Sequence, residues 1–169
     1  MNTNSLTTIS SFILLVLIQV LIFNNMYIFG FINPMIYLLF ILIYRLDGDQ
    51  TLFILISFIL GFCIDFLSQS GGAHSIATLT VAFIRPLLIK YAFGVISEVP
   101  SNFYNDTRKV NKYSFLALVI GIHHLLYFIL VYFSWSATYL ILKNALLTSV
   151  FSLILIALAS RFYKKLNDS

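Results

Sequence analysis

The chain has 169 residues, 60% of them hydrophobic and 9% charged, with a formal net charge of +4. A water-soluble domain carries roughly 25% charged residues, so this composition excludes one and points to an integral membrane protein, a single domain over 1–169. That length leaves no room for a separate soluble catalytic domain.

Hydropathy divides the chain into six apolar blocks, at about 6–23, 30–45, 51–67, 75–92, 114–134 and 137–160. Each approaches the ~20 residues that cross a hydrocarbon core about 30 Å thick. The second is the weakest, because its densest stretch, Met35 to Tyr44, is short. Continuous apolar runs without period-2 alternation favour helices over barrel strands. The expected fold is an all-α membrane protein, a six-transmembrane-helix bundle.

The first block is expected to be a retained span. Met1 to Thr8 lacks Lys and Arg, and no small-x-small cleavage site follows Phe23. A turn over Asn24 to Asn33 leads to Pro34, placed near the start of span two, where a missing N–H costs nothing. The stretch Arg45-Leu46-Asp47-Gly48-Asp49-Gln50 reads as a polar turn. Span three closes on Gly61-Phe62-Cys63-Ile64-Asp65, a glycine-bearing turn runs from Ser68 to His74, and span four carries Arg85-Pro86. The only long connection, 93–113, begins amphipathic and becomes polar; it reads as a lipid-surface segment followed by an exposed loop, or as a docking loop. Two adjacent histidines, His123 and His124, sit within span five.

Basic residues set the expected orientation. With the N-terminus cytoplasmic, the inner segments hold Arg45, Lys90, Arg108, Lys109, Lys112, Arg161, Lys164 and Lys165, and the outer segments 24–29, 68–74 and 135–136 hold none. Such asymmetry marks the inside and favours an even number of spans with both termini cytoplasmic. The positive charge therefore follows from topology, with nothing that asks for nucleic acid.

Polar and small residues recur at helical spacing. The expected inward stripes are Thr8, Ser11 and Gln19; Ser57, Gly61, Asp65 and Ser68; Ser75, Thr78, Ala82 and Arg85; Ala117, Gly121 and His124; and Asn144, Thr148 and Ser152. Small residues let membrane helices approach closely and polar ones bond across them. A carboxylate and a guanidinium within apolar runs are costly and draw attention first. Asp65 lies near one surface and Arg85 roughly 15 Å below it, so a direct pair needs span four broken at Pro86. Otherwise Asp65 is expected to bond Ser68, Ser75 or His74, and Arg85 to satisfy carbonyls freed by the proline or to snorkel.

Chemistry-bearing motifs are missing from the sequence. It has no His-Glu-x-x-His, no Gly-x-Ser-x-Gly and no phosphate-binding Gly-rich loop. His123 and His124 point about 100° apart on a helix and do not converge as an i, i+4 pair would. The lone Cys63 permits no intramolecular disulfide. The expectation is no enzyme, no cofactor and no metal. An intramembrane hydrolase using His123, His124 and Asp65 is the least favoured class.

In the segments Gln19 to Asn25, Pro34, Gly61 to Phe66, Gly72-Ala73-His74 and Arg85-Pro86, the chain resembles the rod-shape-determining MreD family. The motif detail covers about 12–90; the last two spans match mainly in hydropathy. Gln19, Asn24, Asn25, Pro34, Gly61, Asp65, Gly72, His74, Arg85, Pro86 and His124 are the structural or partner-binding candidates on this basis. The resemblance implies an architecture similar to the substrate-binding membrane subunits of energy-coupling-factor transporters. It also implies a non-enzymatic scaffold in the inner membrane that helps control cell shape and peptidoglycan synthesis. Its implied partners are an MreC-like single-span protein, a RodA-type glycosyltransferase, a class B penicillin-binding transpeptidase, an MreB-like filament and membrane lipid. The alternative is a small-ligand-binding subunit of a vitamin-type transporter, which would need polar groups converging on an outward pocket.

Overall fold

The computed structural model describes residues 3–43, 49–94 and 109–167, with side chains over 8–42, 49–94 and 111–160. Every long element is helical: α1 (Thr3–Leu21), α2 (Leu38–Ile43), α3 (Gln50–Ser68), α4 (Ala73–Phe93), α5 (Lys109–Tyr132) and α6 (Thr138–Asn167). Five segments are long and apolar enough to cross a membrane: Thr8–Asn25, Gln50–Ser68, Ala73–Phe93, Asn111–Tyr132 and Trp135–Ser160. Arg45, Arg108 and the positions 95–108 of the expected loop lie outside the described residues, as do the side chains of Arg161, Lys164 and Lys165.

The second apolar block departs from expectation. Among its described residues only six form a helix, α2, about 9 Å long. Gly30 has φ +84°, and Tyr27 and Phe29 also take the left-handed backbone. This stretch therefore folds as a small hairpin, with Ile28 and Ile32 exchanging two hydrogen bonds of 2.9 Å. Pro34 sits four residues before the helix and does not open it. Hydropathy registers the apolar side chains here but not the bent backbone.

The ends of the helices can be assigned by contact. Asn24, just past α1, donates to Ser68 at the end of α3 (2.5 Å). Tyr132 closes α5 and accepts from Asn144 near the start of α6 (2.7 Å). The ring of His74, in the first turn of α4, lies tilted against that of Tyr127 in α5, with centroids 4.5 Å apart. These residues share one end of the bundle, the Asp65 end. Since α1 and α3 both finish there, the two helices run in the same direction. Lys90 and Lys112 belong to the opposite end, where α4 stops and α5 begins.

Helices α3, α4, α5 and α6 pack side by side in chain order, and α1 lies against α3. The short α2 is enclosed: Tyr37, Leu38, Ile41 and Leu42 are fully buried. Around it a continuous core gathers Phe53, Leu60, Ile64, Val81, Phe115, Leu116, Ile120 and Ile156. The outer faces of the long helices are apolar and exposed, as lipid-facing surfaces are.

Local chemistry fixes the helix boundaries. Asp49 accepts the N–H groups of Thr51 (2.9 Å) and Leu52 (3.1 Å), capping α3. Beyond Ser68 the backbone turns left-handed at Gln69, Gly71 and Gly72, and two glycines supply that conformation at little steric cost. The stripe expected on span five is corrected. Ala117 is exposed and Gly121 half-buried, whereas Phe115, Leu116, Val119, Ile120, His123 and His124 face the core. The bulky residues, not the small ones, set the inward side of α5.

Candidate functional site

The site is a buried polar network that starts at Asp65. Helices α3 and α4 are in close contact at Gly61. A Cβ there would stand 2.7 Å from both the His74 carbonyl oxygen and the Ser75 Cα, and closer still to the Thr78 hydroxyl. That contact brings the first turn of α4 alongside the last turn of α3. One carboxylate then accepts five hydrogen bonds. Oδ1 receives Ser70 Oγ (2.6 Å), His74 N (3.1 Å) and His74 Nδ1 (3.0 Å); Oδ2 receives Ser75 N (2.7 Å) and Ser75 Oγ (2.5 Å). Asp65 thus serves as the side-chain cap of α4, where Gly72 has no side chain to do so.

Arg85 is not part of this knot. Helix α4 continues through Pro86 without a break, so Arg85 stays well down the helix, buried, with its guanidinium carbon 4.6 Å from the Phe53 ring centroid. Ser68 bonds Asn24 instead of Asp65, and Ser70 takes the place expected for it.

A second knot centres on Gln19. Its Nε2 donates to Asn24 Oδ1 (2.8 Å) and the Pro34 carbonyl (3.1 Å). Its Oε1 accepts the N–H groups of Ile36 (2.8 Å) and Tyr37 (3.4 Å). Unpaired backbone within a bilayer is tolerated only where protein satisfies it. Gln19 does so for the irregular chain entering α2. Asn25 closes α1 by donating to the carbonyls of Val20 (3.1 Å) and Leu21 (3.3 Å).

The third knot joins the segment leading into α2 to α5 and α6. Ser152 Oγ accepts Met35 N (2.9 Å) and meets His124 Nε2 (3.1 Å), while His124 Nδ1 meets the Ile120 carbonyl (2.7 Å). A carbonyl only accepts, so His124 carries a proton on Nδ1, and the Ser152 hydroxyl proton completes the set at Nε2. His123 diverges from His124, their rings 75° apart, and its Nε2 meets the Tyr37 hydroxyl at 2.9 Å. Among the described residues, Ser57 Oγ, His123 Nδ1 and Thr148 Oγ1 are buried without a hydrogen-bond partner.

Chemically, this arrangement favours holding over reacting. Ser70 Oγ and Asp65 Oδ1 both meet the same ring nitrogen of His74, Nδ1. A nucleophilic relay places acid and hydroxyl on opposite nitrogens. Among the described residues, no group of three or more His, Cys, Asp or Glu could hold a metal ion.

The structure unites Asp65, His74 and Gly61 in one knot and Gln19, Asn24 and Pro34 in another. It sets His124 apart in the third, and Arg85 apart from all three. Sequence reasoning missed Ser70, Tyr37, Tyr127 and Tyr132. The tyrosines stand in apolar runs and count as hydrophobic, so their hydroxyls carried no separate signal. No family model, curated protein or solved structure matches this chain.

Proposed function

We propose that the chain is a non-enzymatic membrane scaffold subunit of a bacterial cell-elongation complex, as its resemblance to the MreD family implies. In this reading it spans the inner membrane six times, the block at about 30–45 supplying the second crossing, with both termini in the cytoplasm. Its surfaces receive the transmembrane helix of an MreC-like protein and contact RodA-type, transpeptidase and MreB-like partners. One observation supports it above the rest. Three buried polar side chains, Asp65, Gln19 and His124, spend their hydrogen bonds on neighbouring side chains and on helix-end backbone. That use fixes the bundle's shape and leaves the apolar outer faces to do the work. The experiment is depletion in a rod-shaped host with cell width scored by microscopy. The scaffold reading expects rounding.

The transport-subunit alternative has one observation in its favour. Ser57, His123 and Thr148 hold unpartnered polar atoms inside the bundle, as a ligand site would. It expects depleted cells to keep their width and to recover growth with excess of one nutrient.

A further inference from the structure

A cation stands on the membrane face of α6 with no acid paired to it among the described residues. Lys143 is exposed and five residues into the helix, about 8 Å along it. Among the described residues it forms no salt bridge, and its Nζ lies 4.9 Å from the Phe31 ring centroid. An aromatic face offsets only a small part of the cost of an ammonium at the edge of hydrocarbon. The residues that share its helix face are Tyr139, Leu146, Val150 and Ile154, all exposed. From Lys143 to Ile154 is about 16 Å, close to half of a hydrocarbon core about 30 Å thick. The face therefore carries one positive head position above an apolar track one leaflet long. Its track residues are branched, whereas surfaces that receive another helix favour small ones.

We propose that this face of α6 binds an anionic phospholipid, its phosphate on Lys143 Nζ and an acyl chain along Leu146, Val150 and Ile154. The site goes beyond the scaffold reading and stands or falls without it. Trp135 is the only tryptophan in the chain, is 96% exposed, and precedes Lys143 at the same end of α6, so its fluorescence reports which lipid is nearby. The full chain is reconstituted in phosphatidylcholine vesicles that contain increasing mole fractions of either brominated phosphatidylglycerol or brominated phosphatidylcholine. The expected result is quenching by the brominated phosphatidylglycerol at about five-fold lower mole fraction, the preference that one lysine near an anionic lipid surface supplies. Lys143→Gln removes the preference and Lys143→Arg keeps it. Soluble glycerophosphate leaves it intact, because the acyl track contributes. Equal quenching by the two lipids in the unmodified protein, or a preference that survives Lys143→Gln, overturns the site. Abolition by glycerophosphate makes it a plain anion site and overturns the lipid assignment.

Discussion

At the scale of the residue, Asp65 carries the sharpest expectation. It is the acceptor for five donors, two of them backbone N–H groups at the start of α4. Asp65→Leu strands these donors in a buried site, at about 1–3 kcal/mol for each group left unpaired. We expect the thermal midpoint in detergent to fall sharply and partner co-purification to fall with it. Asp65→Asn keeps one acceptor oxygen and lowers the midpoint less. A fully stable, partner-bound but inactive Asp65→Leu protein would assign the carboxylate a chemical role instead. Asp65, His74 and Gly61 were legible in the sequence because a polar residue or a glycine inside an apolar run needs a reason. Ser70 was not, since a serine beside two glycines is ordinary turn composition. Its hydrogen bond exists only once the turn has folded back over α3.

At the scale of the element, two contacts decide whether the helices meet correctly. Gly61 permits the α3–α4 crossing, where an added Cβ collides with backbone that cannot move aside. Gly61→Ala is expected to separate the two helices and weaken every hydrogen bond to Asp65, destabilising by about 1–3 kcal/mol as overpacking does. Thermal unfolding of the purified protein measures it. Gln19 has the corresponding role for the bent entry to α2. Gln19→Leu leaves Ile36 N–H and the Pro34 carbonyl without partners, and we expect it to cost about 2 kcal/mol or more. Gln19→Glu retains the acceptor and should unfold closer to the unmodified protein. Periodicity and hydropathy made the five long helices readable, because each presents a long continuous apolar run. They failed at the second block. There Gly30, Asn33 and Pro34 bend the chain, and Gln19 and Ser152, distant in sequence, supply the hydrogen bonds that a helix would have made internally. No local pattern announces a partner 117 residues away.

At the scale of the whole molecule, the contact between Asn24 and Ser68 places the first and third helices in the same direction. In the proposed reading, the positive-inside asymmetry puts both termini in the cytoplasm. Single cysteines at Lys109, Lys165, Gln69 and Ser136, in a Cys63→Ser background, test the topology. An impermeant maleimide should label positions 69 and 136 in intact spheroplasts and reach 109 and 165 only after lysis. Labelling of 109 in intact cells would reverse the orientation. The central claim is that the polar interior builds a shape and the apolar exterior meets other proteins. Affinity purification from gently solubilised membranes, with mass spectrometry of the co-purified chains, tests it most directly. An MreC-like single-span protein should be recovered, and lost when Asp65→Leu unfolds the bundle. Recovery of a vitamin-like ligand with no single-span partner would contradict it.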